Sequence, residues 1–140
     1  MTCFQLIFSP TGGTERVAKA ITQTWPEVQT IDLSAQNFTA PAVPFGKDDL
    51  VLIAMPAFEA MAPQPALDRL VLLQGHGARC ALAAVYGNRA VDNTLAQMED
   101  YARKAGFQPI ATVSAVAAHS LLPEFAVGRP DDSDCQQLAV

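Results

Sequence analysis

The residues with the clearest chemical potential form a short loop near the start of the chain, where residues 9–14 read Ser-Pro-Thr-Gly-Gly-Thr. Two adjacent glycines allow the backbone to turn tightly and to point several N–H groups at one spot, while the hydroxyl side chains supply further hydrogen-bond donors. A helical pattern follows directly, and the N-terminus of a helix favours a bound anion. The loop therefore predicts a phosphate site formed by Ser9, Thr11, Gly12, Gly13 and Thr14.

The composition of this loop also narrows the kind of phosphate. The sequence contains neither the G-x-x-x-x-G-K-[ST] pattern of nucleoside-triphosphate loops nor the G-x-G-x-x-G pattern of dinucleotide loops. A hydroxyl-rich loop without lysine suits a monophosphate better than a triphosphate with magnesium. The alternative is an ordinary glycine-rich turn between a strand and a helix, with Thr14 as the helix N-cap.

Hydrophobic periodicity places the loop in an alternating series of strands and helices. Short apolar or β-branched runs predict strands over residues 3–8, 28–33, 49–55, 80–85 and 110–116. Helical spacing predicts helices over residues 14–25, 65–73 and 89–105, and a short one that begins at Pro130. Residues 33–48 show no helical stripe and contain Pro41, Pro44 and Gly46, so we expect a largely non-helical crossover between the second and third strands.

This alternation predicts an α/β fold, with a doubly wound five-stranded parallel sheet built from residues 1–140 as a single domain. In such sheets ligands bind beyond the carboxyl ends of the strands. The loops that follow the first, third, fourth and fifth strands are therefore the candidate binding loops. Turns at the opposite end, such as the one at His76, are expected to have no functional role.

Other residues with reactive side chains form no recognisable catalytic or metal-binding pattern. The three cysteines, Cys3, Cys80 and Cys135, are widely spaced and include no C-x-x-C pair, which argues against a disulfide framework or a metal cluster. His119 and Ser120 are adjacent, which does not by itself make a nucleophile–base pair, and the sequence has no G-x-S-x-G elbow. We therefore predict no catalytic residue and no metal ligand.

Composition excludes further classes of function. Half of the 140 residues are hydrophobic and the formal net charge is −5, which favours a globular domain over a nucleic-acid-binding surface. The longest apolar stretch, from Leu50 to Phe58, is interrupted by Pro56 and is too short to span a bilayer. With no basic leader at the N-terminus, the expected location is the cytoplasm, without membrane insertion.

Several motifs in order resemble a known family. Residues 8–14 followed by residues 17–21 resemble the FMN-phosphate loop of flavodoxin-like proteins. Residues 86–90 before a long helix, residues 118–120 and residues 128–131 resemble one subgroup, the flavodoxin-like domain often joined to a ferredoxin-type iron–sulfur domain in anaerobic bacteria. The resemblance covers nearly the whole chain, and it implies a flavodoxin-like fold with strand order 2-1-3-4-5.

The resemblance implies FMN as the cofactor and assigns residues to it. The loop at residues 9–14 would hold the phosphate, and Phe58 would flank the isoalloxazine ring. A cationic Arg89 near the pyrimidine edge would favour the reduced, anionic flavin. The implied ring-side residues are Pro56, Ala57, Phe58, Tyr86, Gly87, Asn88, Arg89 and His119.

The implied function is electron transfer through FMN, to or from a redox protein partner such as an iron–sulfur protein. An electron carrier is favoured over a free-standing enzyme, because nothing in the sequence suggests a dedicated nicotinamide or substrate pocket. Two alternatives stay open. One is an FMN-dependent reductase of a quinone or small acceptor, and the other is a flavodoxin-like interaction module that has lost FMN.

The loop after the third strand departs from the family. Relatives commonly have two small residues, usually glycine, and then an arginine after the aromatic residue, whereas this chain has Glu59, Ala60 and Met61. A residue other than glycine adopts positive φ at a cost of about 1 kcal/mol or more. We therefore expect this loop to stabilise a one-electron-reduced flavin less than its relatives do, or to bind FMN more weakly or not at all.

Overall fold

The polypeptide, described here from a computed structural model over residues 2–9, 13–35, 38–39, 45–57, 62–86 and 92–116, alternates strands with helices. The strands in this part are β1 (Cys3–Ile7), β2 (Gln29–Asp32), β3 (Leu50–Pro56), β4 (Arg79–Tyr86) and β5 (Gln108–Val116). The helices are α1 (Gly13–Thr22), α2 (Gln64–Leu70) and α3 (Asp92–Lys104). All strand pairs are parallel and the order is β2-β1-β3-β4-β5, which confirms the predicted doubly wound sheet and its strand order.

Strand β3 lies at the centre of the sheet, and residues 51–55 are all buried. An unbroken apolar run is typical of a strand covered on both faces, because a strand with one solvated face would alternate between apolar and polar residues. Alternate residues of β3 do point to two separate cores. Leu52 and Ala54 pack with α1 on one face, whereas Val51, Ile53 and Met55 pack with α2 and α3 on the other.

Two helix predictions need correction. Helix α1 ends at Thr22 and not near Trp25, because the chain leaves it through a turn in which the Trp25 N–H donates to the Thr22 carbonyl at 2.9 Å. Helix α2 ends at Leu70 and not at residue 73, so helical spacing no longer applies beyond Leu70. Val71 is accordingly 39% exposed, whereas Leu73 is buried.

The crossover between β2 and β3 contains no helix in its described residues, 33–35, 38–39 and 45–49, in agreement with the prediction. A side chain on α2 holds this crossover in place. The Arg69 guanidinium on α2 donates to the carbonyl oxygens of Leu33 and Ala35, and it lies 5.2 Å from the Phe38 ring centroid. Arginine suits this role, because its fork of donors serves two carbonyls while its plane covers an aromatic ring.

The end of α3 is a Schellman motif. The Phe107 N–H donates to the Ala102 carbonyl and the Gly106 N–H to the Arg103 carbonyl, both at 3.0 Å. Gly106 has a φ of +91°, a conformation that favours glycine over any residue with a side chain. This turn packs against Gly75, whose N–H donates to the Ala105 carbonyl at 2.7 Å.

We expect Gly75→Ala to destabilise the protein strongly for a change of one methyl group. A Cβ at Gly75 would lie 2.8 Å from the carbonyl carbon of Gly106 and 2.8 Å from the Phe107 ring, so backbone atoms would have to move. Overpacking of this kind typically lowers the free energy of unfolding by about 1–3 kcal/mol. Urea denaturation followed by far-ultraviolet circular dichroism measures the loss.

Gly46→Ala is the matched control for this prediction. A Cβ at Gly46 would meet its nearest heavy atom, Oδ2 of Asp49, at an ordinary 4.0 Å. This variant should therefore remain within about 0.5 kcal/mol of the wild type. Equal urea midpoints for Gly75→Ala and Gly46→Ala would show that the close approach at Gly75 is not tight.

Candidate functional site

The carboxyl ends of the inner strands lie side by side at one edge of the sheet. Ile7 at the end of β1 pairs with Ala54 of β3, and Pro56 at the end of β3 pairs with Val85 of β4. Pairing of Tyr86 with Val116 carries the same edge across to β5. The sheet thus brings together the backbone that leads into the predicted binding loops, at the edge where doubly wound folds bind ligands.

Ser9 follows β1 at this edge and contacts the start of α1. Its Oγ accepts a hydrogen bond from the Glu15 N–H at 3.0 Å, so a side chain from outside the helix serves a donor in the first turn. A serine hydroxyl that accepts one hydrogen bond keeps its own proton for donation. The contact therefore holds a polar O–H at the positive end of α1.

Gly13 and Thr14 form the first turn of α1, and Thr14 is only 3% exposed. The alternative interpretation of Thr14 as an N-cap is therefore wrong, because Thr14 is already inside the helix. The exposed carboxylate of Glu15 forms an ion pair with Lys19 at 3.0 Å, one turn along the helix. This pairing offsets negative charge in the first turn, where it would otherwise repel a bound anion.

The ends of β3 and β4 form the neighbouring part of the edge. Ala57 directly follows β3 and donates its N–H to the Val85 carbonyl at 2.8 Å. Its side chain is half-buried against the larger core, so the residue is fixed in two ways. Pro56 and the backbone of Tyr86 end the two strands.

Other predicted site residues lie outside the described residues, and their assignments stay predictions. They are Thr11, Gly12, Phe58, Gly87, Asn88, Arg89 and His119. The same holds for Glu59, Ala60 and Met61, for Cys135, and for the short helix predicted from Pro130.

Two polar residues on α3 were not singled out from the sequence. Gln97 accepts a hydrogen bond from the Ala62 N–H at 2.9 Å, and Thr94 is fully buried, with no partner for its hydroxyl among the residues that the structure describes. Both lie beside Met98, whose side chain is in the core. A polar residue next to an apolar helical stripe is the available sequence signal, although it does not identify the partner.

Cys3 and Cys80 behave as small hydrophobic residues. Both thiols are free and buried. Burial raises the pKa of the Cys80 thiol to about 12, and the nearby Arg103 charge lowers it only in part. A protonated, inaccessible thiol is a poor nucleophile and a poor metal ligand.

No three His, Cys, Asp or Glu residues of the described ranges are close enough together to hold a metal ion. None of the helices in those ranges has the length and apolar character needed to cross a membrane.

Comparison with solved structures shows the same architecture in several bacterial and archaeal proteins. A Lactobacillus acidophilus flavoprotein in complex with FMN has a TM-score of 0.65 and 14% identity, covering 81% of this chain and 92% of its own. Two-electron reduced Megasphaera elsdenii flavodoxin has a TM-score of 0.62 and 18% identity, covering 98% of this chain and 95% of its own. A flavodoxin from the domain Archaea has a TM-score of 0.66 and 17% identity, covering 99% of this chain and 91% of its own.

The chain has the flavodoxin-like fold. No protein-family model and no curated protein sequence matches it. At 14–18% identity these structures establish the fold alone. The role of the carboxyl edge of the sheet depends on the residues that this chain places there.

Proposed function

We propose that this chain binds one FMN and acts as an electron-transfer protein. The observation that carries the proposal is the placement of Ser9, whose hydroxyl is held at the N-terminus of α1 and next to the carboxyl end of β1. The structurally similar proteins support it, since they include an FMN complex and two flavodoxins.

The residues present fit a phosphate. A ten-residue helix points its N-terminus at the loop, and a monophosphate would gain from N–H groups, hydroxyl donors and the helix dipole together. In this proposal Ser9, Thr11, Gly12, Gly13 and Thr14 hold the phosphate. Ser9 has a definite role there: its oxygen accepts the Glu15 N–H, which leaves its own proton available for donation to the anion.

The ring would lie against the ends of β3 and β4. Ala57 is immobilised by its bond to Val85, which provides a fixed start for the segment that would flank the ring. We assign Pro56, Ala57 and Phe58 to one side of the ring. On the β4 and β5 side we assign Tyr86, Gly87, Asn88, Arg89 and His119.

Bound FMN supplies the redox chemistry, because a flavin accepts or donates one or two electrons without a reactive protein side chain. The chain itself binds the phosphate, orients the ring, shields one side of it from water and adjusts the local charge. A protein that binds and orients FMN, and leaves the redox chemistry to it, suits the role of an electron carrier. We propose a redox protein as partner, specifically an iron–sulfur protein, on the resemblance of residues 86–90 and 128–131 to domains joined to such proteins. We further propose a cytoplasmic single domain.

The test is the absorbance spectrum of the purified protein after incubation with FMN and removal of excess flavin. We expect a yellow protein with about one FMN per chain and quenched flavin fluorescence. Absence of bound flavin would contradict the proposal and would favour an interaction module that has lost FMN.

NADPH oxidation by the loaded protein separates a carrier from a reductase. The carrier should oxidise NADPH at the rate of free FMN, with or without an added quinone. Rapid, saturable NADPH oxidation with an added quinone would contradict the carrier assignment.

A further inference from the structure

The segment that joins β3 to α2 is hydrogen-bonded at both of its described ends, to β4 at the first and to α3 at the second. Ala57 donates its N–H to the Val85 carbonyl of β4 at 2.8 Å. Ala62 donates its N–H to Oε1 of Gln97 on α3 at 2.9 Å. Residues 58–61 lie between these two attachments and outside the described residues. Strand β4 and helix α3 therefore determine where the segment begins and where it ends.

The acceptor for the Ala62 N–H comes from outside its own segment. Helix α2 begins after Pro63, whose carbonyl accepts the N–H groups of Ala66 and Leu67, so α2 engages Pro63 but not the Ala62 N–H. Ala62 is 7% exposed, and a buried N–H that loses its acceptor is destabilising. The Gln97 amide oxygen meets this requirement from a neighbouring helix.

The Gln97–Ala62 hydrogen bond lies close to other polar side chains of α3. Gln64 Nε2 donates to the Tyr101 hydroxyl at 3.4 Å, one turn further along α3 from Gln97. Thr94 lies three residues before Gln97, towards the carboxyl edge, and its buried hydroxyl has no hydrogen-bond partner within the described ranges. Of the described hydrogen bonds that α3 makes to the β3–α2 segment and to α2, the one to Gln97 therefore lies nearest the candidate site.

We propose that Gln97 is a positioning residue for the cofactor site: by accepting the Ala62 N–H it fixes the end of the segment against which the flavin ring rests. The proposal builds on the proposed function, because this segment matters only if a ring binds beside it. Loss of the bond leaves Ala57 attached to β4. The site is therefore loosened at one end and not abolished.

Three variants test this role. Gln97→Met keeps the length and helix propensity of the side chain but removes the acceptor, whereas Gln97→Glu keeps an acceptor oxygen. Gln74→Met makes the same exchange at an exposed position and serves as the control. For each variant we measure amide hydrogen exchange at Ala62 in the apoprotein by NMR, the dissociation constants of FMN and riboflavin, and the midpoint potential of the FMN-loaded protein.

Gln97→Met should speed exchange at Ala62 about tenfold, because the amide loses its acceptor. It should weaken FMN and riboflavin by the same factor, about tenfold, because the segment contacts the ring that both ligands share. It should also shift the midpoint potential. Gln97→Glu should restore slow exchange, and Gln74→Met should match the wild type throughout.

Unchanged exchange at Ala62 in Gln97→Met would overturn the proposal. So would faster exchange with unchanged flavin affinity and potential, because Gln97 would then be structural only. Weaker FMN binding with unchanged riboflavin binding would place the effect at the phosphate and would overturn it too. Wild-type protein that binds neither flavin would overturn the proposed function itself, and the wild-type titration reveals that failure separately from any variant.

Discussion

FMN is expected to bind at least about a hundredfold more tightly than riboflavin, because the two ligands differ only in the phosphate that the loop at residues 9–14 would hold. A hydrogen bond to a charged group contributes about 1.5–3 kcal/mol, so two such bonds are enough for this ratio. Titrations of the apoprotein with each flavin, followed by fluorescence quenching, give the two dissociation constants. Equal affinities would show that the loop does not bind the phosphate.

Ser9→Ala isolates one donor of that loop. It removes the hydroxyl that accepts the Glu15 N–H, so both the donor to the phosphate and the contact with α1 are lost. We expect FMN to bind about tenfold more weakly while riboflavin binding is unchanged. Thr112→Ala, which removes an exposed hydroxyl from the middle of β5, is the control and should alter neither affinity. A parallel loss for riboflavin would indicate that Ser9 supports the fold and not the phosphate.

Leu67→Ala is expected to lower the free energy of unfolding by about 2–5 kcal/mol, the range typical of a buried leucine cut to alanine. Leu67 is fully buried and belongs to the core between α2, α3 and the sheet. Helix α2 has only seven residues, which is too short to be stable by itself, so packing must hold it. Alanine is the better helix former, so any loss reflects packing and not helix propensity. Thermal and urea denaturation measure the change.

The control for this substitution comes from the same segment. Leu72 lies two residues beyond α2 and is 59% exposed, so Leu72→Ala should change stability by no more than about 0.5 kcal/mol. Similar losses for Leu67→Ala and Leu72→Ala would contradict the burial difference. If Leu67→Ala lowers the free energy of unfolding only slightly, then α2 contributes little to the core.

Of the candidate site, the placement of Ser9 and Gly13 was predictable because it follows from local pattern. The glycine-rich stretch between a strand and a helix already placed Ser9 and Gly13 at a helix N-terminus, since such turns depend on nearby residues only. The strand order came from the resemblance and not from periodicity, because periodicity does not state which strands are neighbours. Gln97 could not be predicted as a support for the site, because its partner Ala62 is 35 residues away and the bond exists only when α3 packs against the start of α2.

The sequence by itself determined the class of fold, the burial of β3 on both faces and the glycine that ends α3. The first two features follow from the pattern of apolar residues, with periods of two residues in strands and 3.6 in helices. The third follows from the conformational freedom of Gly106. Only the tertiary structure decided where α1 and α2 end, which apolar side chains face outward, and how the non-helical crossover is held by Arg69. The physical reason is that helix ends and loop conformations are marginal in isolation, so contacts between residues distant in sequence select among them.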